Sequence, residues 1–355
     1  MATKQERAVQ EYERLRPTYA RFAERMAELL DTLISESDVK VHTIERRAKE
    51  VASFKEKLAR PGKRYGDPIH EISDLCGVRI IAYYQEDVIT IAQLIRAEFL
   101  VDEAESTDKA RELDVNEFGY LSLHFVVSLV PPRSTLKEWK PFTELTAELQ
   151  VRTVLQHAWA AISHALQYKR EEEIEAVVAR RLYRLSGLLE LADEEFSTIR
   201  RQRTELQSQV SDQIDRGDRN LAIDRTTVNE YIRTSELAQR AWQQMLAAGF
   251  KDDSAGDDDL ISSLIAICDL VGIDSLADLE RAIVTTKRLH LSFFKAVMKG
   301  EDAWLATPAF ALELIVLLAH RNELTLQRLL DAGWSDEVAS KVLAAANSVK
   351  KGGAS

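Results

Sequence analysis

Glu144-Leu-Thr-Ala-Glu148-Leu-Gln150-Val-Arg152-Thr153, running on into Gln156-His157-Ala-Trp159-Ala-Ala-Ile-Ser-His164 and Tyr168-Lys169, decides how the first half of this chain is read. Successive side chains of a strand point to opposite faces, so over 145–152 Glu148, Gln150 and Arg152 share one face and Leu149 and Val151 the other. Polar groups are costly to bury without partners. One polar face on an otherwise apolar strand therefore suits either a half-exposed edge or a metal-assisted site that handles phosphates. The stretch alone leaves both readings open; its neighbours decide between them.

Working outward, the spacing predicts a helix over 153–167 after this strand. Before it, His124-Phe-Val-Val-Ser-Leu-Val130 reads as a strand stopped by Pro131-Pro132. Gly77-Val-Arg79-Ile-Ile-Ala-Tyr-Tyr84 reads as a buried strand followed by a helix from Glu86 to Phe99, and Leu100-Val101 as the start of a short strand. Apolar residues at helical spacing (Leu15, Tyr19, Phe22, Met26, Leu30) predict a helix over 5–34. A second helix is expected at 43–60, stopped by Pro61-Gly62. The fold class is thus α+β: a mixed β-sheet flanked by helices, followed by an all-α C-terminal region. There the pattern predicts one long amphipathic helix from Glu171 to Val210, with Leu182, Leu185, Leu188, Leu189 and Phe196 in its apolar stripe. Further helices are expected at 226–249, 259–271, 275–299, 308–331 and 335–349, with Lys251 to Asp259 as a linker and no strands. Three segments follow: 1–170, 171–250 and 251–355, the middle one a candidate regulatory or oligomerisation element.

At 355 residues the chain is long enough for two domains, and 45% hydrophobic with 30% charged residues is ordinary for a core-forming protein. No apolar run approaches the roughly 20 residues a membrane span needs, and the N-terminus lacks the apolar core of a signal peptide. Cys76 and Cys268 lie far apart without metal-ligand spacing and read as free thiols of a cytoplasmic protein. The net charge of −11 is uneven: residues 1–169 hold 24 Lys and Arg against 27 Asp and Glu, so most of the excess lies beyond. From Arg46 to Arg64 eight cations face only Glu50 and Glu56. A basic cluster inside an acidic protein points to a small anionic ligand more than to a long polyanion track.

Lys49, Ser53 and Lys57 are spaced four apart and would form one polar stripe of the 43–60 helix. On a regular helix Arg47 would point away from Lys49, unless it occupies the first turn. Asp74 stands just before a buried strand, where a carboxylate can meet a metal at a sheet edge or simply cap a turn. Gly119-Tyr120-Leu-Ser122-Leu-His124 offers a tight backbone, an aromatic ring and an imidazole. The ordered set Arg47-x-Lys49-x-x-x-Ser53-x-x-x-Lys57, Asp74-Leu-x-Gly77-Val-Arg79, Gly119-Tyr120-x-Ser122-x-His124 and Glu148-x-Gln150-x-Arg152-Thr153, with the Trp159/His164/Tyr168-Lys169 helix, resembles the RelA/SpoT-type alarmone synthetase domain over about residues 40–170.

The resemblance implies a nucleotidyltransferase-like fold that moves the β,γ-pyrophosphate of ATP to the 3′-hydroxyl of GDP or GTP. It implies that Arg47 and Arg79 sandwich the adenine, and that Lys49, Ser53 and Lys57 hold the donor phosphates. Asp74 would bind Mg²⁺, and Glu148 would orient the 3′-hydroxyl and share the metal. Tyr120 would stack on the acceptor base, with His124, Gln150 and Arg152 lining the acceptor side. One departure stands out. Relatives often carry Pro-Lys-x-Asn before the Gly-Tyr, whereas this chain has Asp114-Val-Asn116-Glu117-Phe118, so two acids replace the basic partner of the acceptor's 5′-phosphates. That loop makes the 3′ end of tRNA an alternative acceptor, in a toxin-like relative controlled by its C-terminal half. A catalytically dead binding module is a third reading, opposed by the presence of both Asp74 and Glu148. The resemblance includes no histidine cluster for alarmone hydrolysis, so synthesis alone is expected. A homo-oligomer, and a regulatory partner for the helical half, are further expectations.

Overall fold

The computed structural model describes residues 3–108, 122–167, 176–253 and 257–349. Gly119, Tyr120, the acidic 114–118 stretch, Tyr168 and Lys169 lie outside these residues. Two compact units result, 1–200 and 201–355.

The first unit opens with helix α1 (Lys4–Ser35), started by a capping box in which the Thr3 side chain accepts from the Glu6 backbone and the Glu6 side chain accepts from the Thr3 backbone. Then come β1 (Val41–Ala48), α2 (Val51–Leu58), α3 (Pro68–Glu71), β2 (Cys76–Ala82), α4 (Gln85–Glu98), β3 (Phe99–Asp108), β4 (Leu123–Leu129), α5 (Pro131–Ser134), β5 (Ala147–Thr153), α6 (Val154–Gln167) and the 40-residue α7 (Ala176–Asp215). The five strands form one mixed sheet ordered β1-β2-β5-β4-β3. Only β2 and β5 run parallel.

The expected helix over 43–60 is corrected here: its first part is the edge strand β1, antiparallel to β2, and only 51–58 is helical. Val41, Thr43 and Ile44 are β-branched and suit a strand, but pairing with residues 76–82 is what selects it. Leu100-Val101 opens a ten-residue strand rather than a short one.

One face of the sheet is dry. Val78, Ile80, Phe125, Val127, Leu149 and Val151 pack there against Tyr12, Phe22, Met26 and Leu30 of α1 and Ile91 and Ile95 of α4. The opposite face carries the polar side chains described below.

Helix α7 turns its expected amphipathicity around. Leu182 is buried, but so are Ser186, Asp193 and Ser197, while Leu188 is 61% and Phe196 52% exposed. Thr153 Oγ1 donates to Asp193 Oδ2 at 2.5 Å, and Arg200 pairs with the buried Asp87 at 2.6 Å while stacking over Tyr84. Polar anchors, not the Leu185/Leu188/Phe196 stripe, hold this helix to the sheet.

The second unit is helical: α8 (Arg225–Thr234), α9 (Glu236–Ala247), α10 (Asp257–Val271), α11 (Leu276–Thr286), α12 (His290–Met298), α13 (Pro308–Ala319), α14 (Leu326–Asp331) and α15 (Asp336–Ser348). Three expected helices are each split in two. At 226–249 Ser235 caps a new helix by accepting from the Ala238 backbone, and Thr325 does the same for α14. The expectation of no strand is also corrected: β6 (Lys251–Asp252) and β7 (Leu305–Ala306) form a two-residue parallel pair. Helix α13 is buried on every side, as befits a helix apolar all round, and still carries the buried Glu313.

Candidate active site

The polar face of the sheet is built by alternation. Because Leu149 and Val151 are fully buried in the core, Glu148, Gln150 and Arg152 must point to the other side of β5. The same rule sends Glu45 and Arg47 of β1, Gly77 and Arg79 of β2 and His124 of β4 to that side. Strand register then aligns them: Arg47, Gly77 and Glu148 fall in one row, and Glu45, Arg79, Gln150 and His124 in the next. A cavity of about 600 Å³ lies over these rows, lined by Arg47, Gly77, Arg79, Glu148 and Gln150 among others. Since Arg47 sits on a strand, the question of its facing relative to Lys49 on a helix does not arise.

Lys49 occupies the corner between β1 and α2, at the sheet edge. Its backbone is pinned on both sides: its N–H donates to Leu75 O at 3.0 Å, and its carbonyl accepts from Tyr12 Oη at 2.7 Å and Arg16 Nε at 3.2 Å. Tyr12 stacks on Phe54 of α2, so the same ring fixes the helix that carries Lys57. Lys49 Nζ reaches Asp74 Oδ2 at 2.5 Å and Lys57 Nζ reaches Asp74 Oδ1 at 2.9 Å. Burial pushes the Asp74 carboxyl up, but the hydrogen bonds and charges of the two lysines outweigh it and hold the group below the ordinary carboxylate range. Ser53, exposed, lies one turn before Lys57 on α2.

Glu148 has its own partners. Its Oε1 lies 3.2 Å from His124 Nδ1, whose ring is completed by Ser122 Oγ 2.7 Å from Nε2, and its Oε2 accepts from Gln150 Nε2 at 3.1 Å. Burial raises the Glu148 carboxyl and the nearby charge of Asp74 adds to that, yet the His124 contact and the Gln150 hydrogen bond leave it below the ordinary range. Both carboxylates are therefore anionic at neutral pH. Gln150 Oε1 accepts from Arg79 Nε at 3.3 Å and from Arg152 Nη2, and Arg79 Nη1 pairs with Glu45 Oε2 at 2.6 Å. Arg152 lines a second cavity, shared with Arg47 and Arg79.

Ten of the eleven expected site residues thus fall on the polar face or its edge; Tyr120 lies outside the described residues. Ser122 stands in the quoted motif but without a role; Glu45 and Tyr12 are absent from the sequence reading. Glu45 shares the period-two face of Arg47 and would have followed from reading 41–48 as a strand. Tyr12 carries no local signal, since it acts from α1 through packing.

Among the described residues no cluster of three His, Cys, Asp or Glu suited to a metal occurs. Asp74, just before β2, and Glu148, paired across from Gly77 of β2, nevertheless supply the donors that suit Mg²⁺, which takes one or two protein carboxylates and completes its shell with water and substrate phosphates.

Comparison with known proteins bears on the family of this chain. The family described as "Region found in RelA / SpoT proteins" matches residues 46–173. GTP pyrophosphokinase YjbM of Bacillus subtilis is 34% identical over 170 residues, covering 46% of this chain and 74% of that protein. The chain belongs to the RelA/SpoT family of GTP pyrophosphokinases. A second family member, GTP pyrophosphokinase YwaC of Bacillus subtilis, is 25% identical over 161 residues, covering 44% of this chain and 72% of that protein. The crystal structure of small alarmone synthetase 1 from Bacillus subtilis bound to pppGpp is 29% identical, covers 54% of this chain and 98% of that chain, and has a TM-score of 0.46. The family match ends at residue 173, before α7, so α7 and the helical residues beyond it are additional to the match. Among the described residues no helix is long and apolar enough to cross a membrane.

Proposed function

We propose that this RelA/SpoT-family chain transfers the β,γ-pyrophosphate of ATP to the 3′-hydroxyl of GDP or GTP, giving guanosine tetra- or pentaphosphate and AMP. The observation that carries the reading is the convergence of Lys49 and Lys57 on Asp74 at the sheet edge, with Glu148 on the strand paired to β2. In the reaction the 3′-oxygen attacks the donor's β-phosphorus, the Pα–O–Pβ bond breaks, and AMP leaves with the bridging oxygen. Glu148 orients the 3′-hydroxyl and accepts its proton. A carboxylate held below its usual range is a weak base, so its larger contribution is geometric. His124 and Gln150 fix its rotamer.

Arg47 and Arg79 hold the adenine, a stacking role suited to a planar guanidinium. Lys49 and Lys57 exchange Asp74 for the donor phosphates, with Ser53 as an added hydroxyl donor. Mg²⁺ held by Asp74 and Glu148 would supply charge neutralisation at those phosphates. Tyr120 stacks on the acceptor base and His124 and Gln150 line the acceptor side. The helical unit 201–355 is assigned a regulatory or partner-binding role.

Transfer to the 3′ end of tRNA is the second reading, favoured by Asp114 and Glu117 where a basic acceptor partner is usual. Purified protein with Mg²⁺ and γ-labelled ATP, offered GDP, GTP and tRNA in separate reactions, decides. Label on GDP or GTP, lost in Asp74→Ala and Glu148→Ala, is expected. Label on tRNA alone establishes the second reading, and full activity in either variant overturns the site assignment.

A further inference from the structure

The junction between β5 and α6 is tied to a third element. Thr153 closes β5 and is fully buried. Its Oγ1 accepts from the Gln156 backbone N–H at 3.1 Å, and Gln156 Oε1 accepts from the Thr153 backbone N–H at 2.8 Å. Thr153-Val-Leu-Gln156 is thus a capping box that starts α6. A hydroxyl that accepts in this way still has its own proton to place. That proton goes to Asp193 Oδ2 of α7, at 2.5 Å.

An acid is a costly residue for that position. Asp193 is buried, while Leu185, Leu188 and Phe196 of the same helix are each more than half exposed. Burying a carboxyl without compensation is unfavourable where an apolar side chain would be favoured. What the acid secures is the Thr153 hydroxyl, one residue beyond Arg152. Arg152 Nη2 in turn donates to Gln150 Oε1, and Gln150 Nε2 donates to Glu148 Oε2. A line of contacts therefore runs from α7, through the end of β5, to the carboxylate proposed to orient the 3′-hydroxyl.

We infer that Asp193 is a positioning residue for the acceptor side: by holding the Thr153 hydroxyl it fixes the end of β5, and with it the Arg152–Gln150–Glu148 row. This deepens the proposed function, because it rests on β5 lining the acceptor side. The groups proposed for the donor stand apart from this line. Arg47, Lys49, Ser53 and Lys57 lie on β1, on α2 or at the corner between them, and Arg79 keeps its Glu45 partner whatever becomes of Gln150. Burial pushes the Asp193 carboxyl up to about 7. At neutral pH the contact therefore depends on an acceptor oxygen more than on a full negative charge, and asparagine keeps that oxygen.

Four substitutions in the full-length chain test it, with kcat/KM measured for GDP and GTP and dissociation constants for ATP. Asp193→Ala and Thr153→Val each remove the contact. Both are expected to lower kcat/KM for the acceptor about tenfold, short of the roughly hundredfold that a 1 Å misplacement can cause, while ATP affinity stays within about twofold. Asp193→Asn keeps an acceptor and Thr153→Ser keeps the hydroxyl, so each should hold kcat/KM within about twofold of the unaltered chain. An unchanged kcat/KM in Asp193→Ala overturns the inference and leaves the proposed function standing. Two other results do the same: Asp193→Asn as impaired as Asp193→Ala, or ATP affinity falling as far as acceptor kcat/KM, which marks general loosening of the fold. Transfer by the unaltered chain to neither nucleotide overturns both.

Discussion

In the free protein both lysines proposed for the donor's phosphates are spent on Asp74, which makes Asp74→Asn the most informative substitution. The change keeps shape and removes one negative charge. It weakens two charge-assisted contacts, at 2.5 and 2.9 Å, between side chains that retain 11–22% exposure. Hydrogen bonds to charged groups contribute about 1.5–3 kcal/mol each when well buried, so with solvent screening the pair should lose about 2 kcal/mol in total. Because the Asp74 carboxyl titrates below its unfolded value, this stability is present above the unfolded pKa of 3.8 and is lost as pH falls through the folded one. The variant should therefore melt lower at pH 7 and converge on the unaltered protein in acid.

Ligand binding should move the other way. Without metal, Asp74 repels a polyphosphate drawn to the same lysines; one unit charge at roughly 6–8 Å with an effective dielectric of about 20–40 costs about 1–3 kcal/mol. Asp74→Asn should thus bind metal-free ATP roughly tenfold more tightly, while turnover with Mg²⁺ falls by about two orders of magnitude or more. Calorimetric titrations in EDTA and in Mg²⁺, paired with turnover assays, measure both. A metal-free affinity that falls together with turnover would refute the partner-exchange argument.

Glu148→Gln should leave nucleotide affinities within about threefold and cut turnover by about 10²-fold; single-turnover rates check this, and an unchanged rate removes Glu148 from the chemistry. Arg200→Ala strands the buried Asp87, so α7 should lose about 1–3 kcal/mol of anchoring, read as faster amide exchange over 186–200; unchanged protection contradicts the polar-anchor account. The second unit carries two buried titrating groups of opposite sign. Burial pulls His290 down from 6.5 to about 4, so its contribution to stability rises with pH across that window. Burial lifts Glu313 from 4.5 to about 7, so its contribution falls with pH across its own window. Each is worth about 3 kcal/mol, and the two nearly cancel between pH 4.5 and 6.5. Denaturant melts should be flat there, rising with pH in Glu313→Gln and falling with pH in His290→Phe; parallel profiles in both variants would refute the pairing.

The candidate site was legible wherever a local period carried it. Alternation in 147–153 already separates Glu148, Gln150 and Arg152 from Leu149 and Val151, and the core confirms that separation because only one face of the sheet is dry. Residues 41–48 were not legible in this way. Their β-branched opening is followed by Glu45-Arg46-Arg47-Ala48, which serves a helix as readily, and the pairing that settles the matter is with residues 76–82, well outside any local window. Some splits in the helical half did have local signals, since Ser235 and Thr325 are ordinary cap residues. Helix α7 misled for a different reason: its apolar stripe is real, but the surface it meets offers Thr153 and Asp87 rather than a greasy groove.

By itself the order of residues determined the element types around the polar strand, the motif set that marks the family, and the charges available for phosphate chemistry. These depend on backbone alternation and on side-chain identity, both local. Only the tertiary structure decided which charges meet: that Lys49 and Lys57 close on Asp74, and that His124 and Gln150 bracket Glu148. Those encounters join residues brought together by strand register and helix packing, and such long-range pairing is an energetic choice of the whole chain that no short window can express.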